Sequence, residues 1–238
     1  MAIDKRKFVY IEFVGVPGSG KTTLTRALAR KLAERGRRVA TGFDFLKFGR
    51  LRRYFLTLAY ALRDRESLRA LAGFLRFLPA AFPGRLSGIN DALAVLTRCW
   101  VRKFLIRRIP ADVYIFDDGT VNRFIVAGAD LRKRAALREA LGEILFIREG
   151  APALIWVEAP VGTAIERVLR DPPAGREFMH QMGELGMREF YRAQIDSKDF
   201  FRGALQSSGA LTLEIDGTLS PEANAERILA RIEALLEQ

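Results

Sequence analysis

Gly15-Val16-Pro17-Gly18-Ser19-Gly20-Lys21-Thr22 is the stretch that decides how the rest of the chain is read. It satisfies G-x-x-x-x-G-K-[ST]. It stands between the apolar run Phe8–Val14 and a segment where Leu24, Ala27, Leu28 and Leu32 recur at helical spacing. The order is strand, glycine-rich turn, helix. Glycines let a backbone wrap around phosphate with its N–H groups inward, and the helix start adds its own positive end. Lys21 supplies charge to the β- and γ-phosphates, and the Thr22 hydroxyl is placed to ligate Mg²⁺. The predicted nucleotide cradle is therefore Gly15, Val16, Pro17, Gly18, Ser19, Gly20, Lys21 and Thr22, with Thr23 beside them.

Outward from this loop, strand and helix patterns alternate. Gly36 stops the first helix, and Arg38–Thr41 fits a short second strand. Val113–Asp117 and Ala153–Glu158 read as the third and fourth strands. A helix carrying Ala164, Ile165, Val168 and Leu169 follows the fourth. Leu211–Ile215 reads as the fifth strand and Pro221–Leu236 as a closing helix. This alternation predicts a three-layer α/β P-loop NTPase fold on a five-stranded parallel sheet, order 2-3-1-4-5. Residues 1–238 are expected to form a single domain. Phe45 to Ile109 is too long for a simple crossover. Its stripes (Leu51, Tyr54, Phe55, Leu58, Leu62; then Leu93, Leu96, Trp100, Phe104, Leu105) predict a helical insertion over 45–110, on the acceptor side. Two prolines and a glycine between Asp171 and Gly175 predict a lid loop over 171–177.

Four apolar residues ending in Asp117 make a Walker B pattern, so Asp117 joins Thr22 as an expected Mg²⁺ ligand at the sheet's carboxyl edge. Asp118 beside it could divide the labour, one carboxylate on metal and one as base. Asp44, just past the second strand, is the other candidate base for a hydroxyl acceptor. Arg167, Arg170 and Arg176 surround the lid loop. An arginine placed on the moving phosphoryl oxygens is worth about 10³–10⁵ in rate. Glu12 interrupts the first strand, and two readings stay open: a buried carboxylate neutralised by a basic neighbour, or a direct substrate role.

Tyr10-Ile11-Glu12-Phe13-Val14-Gly15 with its loop resembles the opening of the thymidylate kinases and the wider nucleoside and nucleotide kinase group. Ile155-Trp156-Val157-Glu158-Ala159-Pro160 and Glu166-Arg167-Val168-Leu169-Arg170, with Arg176 further on, are similar to that group's fourth strand and arginine-bearing lid. The resemblance implies that Asp216, Gly217 and Thr218 hold adenine. Thymidylate kinases carry Asp-Arg after the third strand, the arginine gripping the acceptor's phosphate. Here Asp117-Asp118 stands instead, with Arg123 further on as the remaining candidate. The resemblance does not cover Phe45 to Ile109.

The expected function is ATP- and Mg²⁺-dependent phosphoryl transfer to a small-molecule acceptor, with a hydroxyl-bearing nucleoside or sugar favoured over a nucleoside monophosphate. The alternative is a P-loop ATPase or NTPase switch working with nucleic acid or a protein partner. Lys plus Arg number 39 against 28 Asp plus Glu, a net charge of +11, which suits polyanionic partners. Arg50, Arg52, Arg53, Arg98, Arg102, Lys103, Arg107 and Arg108 load the middle segment. They read either as snorkelling around core helices or as a surface for an anion. No nucleic-acid-reading module is visible, so a nucleic-acid partner is disfavoured, while an anionic membrane surface and a homodimer stay open. The lone Cys99 reads as a core thiol, and the lone His180 cannot build a zinc site. A charged start running straight into a strand leaves no room for a signal peptide, so a cytoplasmic location is expected.

Overall fold

All six residues of Val9–Val14 are buried, which a parallel strand achieves only with neighbours on both edges and helices on both faces. The computed structural model of the chain describes residues 8–42, 59, 86–127, 151–171, 177–206 and 211–236. Its elements are β1 (Val9–Val14), α1 (Lys21–Glu34), β2 (Val39–Thr41), α2 (Leu86–Arg108), β3 (Val113–Phe116) and α3 (Thr120–Ala127). They continue as β4 (Ala151–Glu158), α4 (Val161–Arg170), α5 (Glu177–Gln181), α6 (Gly183–Gln206), β5 (Leu211–Asp216) and α7 (Pro221–Leu236). The strands form one sheet in the order β2-β3-β1-β4-β5, every pairing parallel. This is the order expected from the sequence. Asp117 stands just past β3 rather than within it, and Asp216 closes β5. The stripe expected around Leu51 to Leu62 and most of the lid loop lie outside the described residues, apart from Ala59, Asp171 and Glu177.

Alternation along β1 sends its side chains to opposite faces. Val9, Ile11 and Phe13 pack with Leu24, Leu28 and Leu32 of α1 and with Ile228, Leu229 and Ile232 of α7. Tyr10 packs on the other face with Val101, Phe104 and Leu105 of α2 and with Tyr114 and Phe116 of β3. A third cluster joins Val16 of the loop to Ala164, Ile165 and Val168 of α4 and to Met187 and Tyr191 of α6. Gly36, at φ 75°, ends α1 by letting its N–H reach Ala33 O at 2.9 Å and the Arg37 N–H reach Leu32 O at 3.0 Å. Among the described residues no helix is long and apolar enough to cross a membrane.

Candidate nucleotide-binding and acceptor site

The loop from Gly15 to Thr22 is walled in by backbone. Gly18 and Gly20 take φ values of 76° and 101°, a region that side chains with a Cβ avoid. A Cβ on Gly15 would lie 2.6 Å from Val157 O, and one on Gly18 2.2 Å from Ala164 O. The loop is therefore wedged against the end of β4 and against α4. Tyr191 of α6 donates to Pro17 O at 2.8 Å from beneath. Lys21 lies along the loop, its Nζ donating to Gly15 O at 2.7 Å and Val16 O at 2.8 Å.

Thr22 Oγ1 donates to Asp117 Oδ2 at 2.8 Å, joining the loop to the end of β3. A hydroxyl and a carboxylate side by side form a hard-oxygen pair that suits Mg²⁺, a cation usually held by one or two protein groups plus phosphate and water. Thr23 is exposed on the first turn of α1.

Asp118 faces a different set of partners. Its Oδ2 accepts from Arg98 Nη2 of α2 at 2.7 Å and from Arg123 Nη2 of α3 at 2.5 Å, and its Oδ1 accepts from Asn122 Nδ2 at 3.3 Å. Burial pushes its proton affinity up, but Arg98 and then Arg123 outweigh this and hold the carboxyl below the ordinary value. A carboxylate with its lone pairs occupied in this way is a poor proton acceptor. Asn122 binds more than Asp118. Its backbone N–H donates to Glu12 Oε1 at 3.2 Å, and its Oδ1 accepts from the Gly15 N–H at 3.4 Å.

Glu12 is fully buried. Burial raises its proton affinity, and the Tyr10 hydroxyl, the charge of Arg102 and the amides of Asn122 and Val121 oppose this only in part. Arg102 is itself 2% exposed, its guanidinium 5.1 Å from the centre of the Tyr10 ring. Of the two readings of Glu12, the structure favours the buried carboxylate with a basic neighbour. Arg102 thus turns inward from α2, while Arg98 reaches across to Asp118 and stays partly exposed. Cys99 is the buried thiol expected, beside Thr120 Oγ1 at 3.7 Å.

On the far side of the loop, Arg167 Nη1 donates to Gly217 O at 3.0 Å and Gly18 O at 3.3 Å. Gly217 permits a close approach: a Cβ there would lie 2.3 Å from Ser19 O. Asp216 Oδ1 accepts from the Thr218 N–H and hydroxyl at 2.8 and 2.6 Å, shaping the turn after β5. The Asp216–Thr218 turn and Arg167 therefore flank the loop together. Arg170 pairs with Glu166 at 2.6 Å on an exposed face of α4. Asp44 and Arg176 lie outside the described residues.

Two residues that sequence reading passed over belong to this site: Asn122, and Arg98 in the particular role of an Asp118 partner. The closeness in sequence of Asp118, just before α3, to Asn122 in its first turn was the available signal. Nothing local ties Arg98 to Asp118.

Sheet order, loop and the carboxylate following β3 define the class: the chain has the three-layer fold of P-loop kinases. No protein-family model and no curated protein matches it. Among solved structures it is similar to deoxyadenosine kinase from M. mycoides in three states. With the products dCMP and a flexible dCDP, the TM-score is 0.54 at 13% identity, covering 94% of this chain and 98% of that one. With dCTP the TM-score is 0.53 at 14% identity, and with dATP 0.54 at 13%, each covering 94% of this chain and 99% of the other. At that identity the likeness is one of fold.

Proposed function

We propose that the chain is a kinase that moves the γ-phosphoryl group of ATP to a small-molecule acceptor of the nucleoside or nucleotide class. The observation that carries this reading is the Thr22–Asp117 hydrogen bond at 2.8 Å. It joins the phosphate loop to the end of β3 at the carboxyl edge of the sheet, where ligands of such folds bind. The similarity in fold to a deoxyadenosine kinase supports the same conclusion.

Lys21 and the backbone N–H groups of the loop would neutralise the β- and γ-phosphates, and Thr22 and Asp117 would hold Mg²⁺. That ion, when bound, would supply positive charge to offset the charge developing on the phosphate oxygens. Arg167 and the Asp216–Thr218 turn would receive the adenine side, while Arg170 and Arg176 would close from the lid. Asp44 remains the candidate base for a hydroxyl acceptor. An ATP-dependent kinase of this kind would work in the cytoplasm.

The ATPase alternative would need the carboxylate beside Asp117, Asp118, to activate water. With both oxygens of Asp118 engaged, that reading loses its main support. The deciding experiment is ATP turnover with and without a library of nucleosides, nucleotides and sugars, with products identified by mass spectrometry. Acceptor-dependent ADP release is the expected result. Steady hydrolysis that no acceptor changes would favour the ATPase.

A further inference from the structure

We propose that Asn122 is a positioning residue for phosphoryl transfer: its side-chain amide braces the first amide of the phosphate loop against Asp118, while its own backbone is pinned to β1. The proposal rests on the kinase reading and adds a residue to that site.

Three contacts converge on Asn122. Its Oδ1 accepts from the Gly15 N–H at 3.4 Å, and its Nδ2 donates to Asp118 Oδ1 at 3.3 Å. Those two partners fix which way the amide faces. Turned over, Nδ2 would meet another donor and Oδ1 another acceptor. An ionised aspartate could only accept here and a leucine could do neither, so the brace needs a group that donates and accepts at once. The third contact is the Asn122 N–H, which donates to Glu12 Oε1 at 3.2 Å.

Glu12 makes that third contact firm. Asn122 lies in the first turn of α3, where backbone N–H groups have no partner within the helix. Glu12 supplies one from β1 and takes the Val121 amide as well. A carboxylate is favoured at a helix start, and this one is fully buried and held by the Tyr10 hydroxyl. The start of α3 is thus clamped to the strand that runs into the loop. Gly15 is fixed on its other side, where a Cβ would lie 2.6 Å from Val157 O. Its carbonyl accepts from Lys21 Nζ at 2.7 Å, so a shift of Gly15 is also a shift of Lys21.

The two side-chain bonds are long. N–H···O bonds usually run from about 2.7 to 3.2 Å, so bonds of 3.3 and 3.4 Å add little to the stability of the fold. Bonds of this kind often tighten only as a site closes on its substrate. A contact that strengthens towards the transition state raises kcat, whereas one equally strong throughout alters only KM. The signature of the brace is therefore a loss of kcat out of proportion to any loss of stability or of ATP affinity.

The test follows ADP release from ATP and Mg²⁺ with a fixed mixture of the common nucleosides, deoxynucleosides and their 5′-monophosphates, in wild type, Asn122→Leu and Asn122→Asp. Asn122→Leu keeps the size and removes both bonds. Asn122→Asp keeps the shape and the acceptor but loses the donor. Each should lower the maximal rate about tenfold to a hundredfold while the KM for ATP moves less than about threefold. The melting temperature should fall by no more than a few degrees. A maximal rate within about twofold of wild type in both variants, or a loss confined to the KM for ATP, would overturn the proposal and leave the kinase reading intact. If Asn122→Leu does not fold, Asn122→Asp carries the comparison. Hydrogen exchange supplies a readout that needs no acceptor. In protein saturated with a non-hydrolysable ATP analogue and Mg²⁺, the loop peptide should exchange faster in the variants than in wild type, and the α7 peptide should not change. If wild type shows no acceptor-dependent ADP release, the kinase reading fails and exchange alone decides. Faster exchange in the loop peptide then supports the brace, and unchanged exchange refutes it.

Discussion

Lys21 donates to two carbonyls of its own loop at 2.7 and 2.8 Å, yet the shape of that loop is set by Gly18 and Gly20 and by the backbone packed against it. Lys21→Ala should therefore leave the circular dichroism melt unchanged and lower turnover by about 10²–10⁴. Turnover within about threefold of wild type would remove Lys21 from the reaction. Asp118 makes a prediction with pH. Its ordinary value is 3.8, and in the folded chain the two guanidiniums outweigh burial and set it lower. The unfolded carboxyl then takes up its proton first as pH falls. The stabilisation is complete above the ordinary value and is lost as pH drops through the depressed folded one. The melting-temperature gap between wild type and Asp118→Asn should stay constant from about pH 8 to pH 5 and close only below about pH 4. A gap that closed between pH 7 and 5 would mean that Asp118 titrates as a base.

Between elements, Gly119 is a tight joint between the start of α3 and β1. A Cβ there would lie 2.2 Å from Glu12 Cδ and 2.6 Å from its Cγ. Glu12 has nowhere to go, since the Tyr10 hydroxyl and the Asn122 N–H hold its two oxygens. Gly119→Ala should destabilise the chain by about 1–3 kcal/mol, read as a lower urea midpoint at unchanged slope. An unaltered midpoint would mean that α3 is free to slide away from β1. The sheet itself was legible in the sequence because each strand is a short apolar run between turn signals, and the loop motif orients the first of them. Register and cross-links were not. The Asn122–Gly15 contact spans 107 residues and the Arg98–Asp118 contact 20, and no periodicity marks either. Asp118 read as a free base because its sequence neighbours show a carboxylate next to a carboxylate, whereas its spatial neighbours are cations. Glu12 was partly legible: a charge inside an apolar strand demands a partner, but not which one.

Across the whole molecule a charge of +11 invites a polyanionic partner, and the described arginines and lysines bear on whether it has one. Arg30 and Lys31 of α1 and Arg35 at its C-cap pair with Glu222, Glu226 and Glu233 of α7. Arg38 pairs with Asp112 at 2.7 Å, Arg188 with Glu184 at 2.7 Å, and Arg202 with Glu214. Exposed pairs of this kind stabilise little individually, about 0–1 kcal/mol. They do place acidic groups among the basic ones on the outer faces of α1 and α7 and along α6, which weakens the local field. A surface reading phosphate backbones needs several unopposed cations in a row. Six phosphate contacts would give log Kd a dependence on log salt of about four units for a single strand and five for a duplex. The expected outcome is the opposite. In anisotropy titrations with a labelled single strand and a labelled duplex, affinity should stay weaker than roughly micromolar at about 150 mM salt. On the proposed reading, binding of ATP should change far less with salt, because the loop N–H groups and Lys21 would contact its phosphates directly in a partly closed site. Submicromolar, steeply salt-dependent binding of either oligonucleotide would show a basic face able to act on a polymer, and would restore the ATPase reading over the kinase.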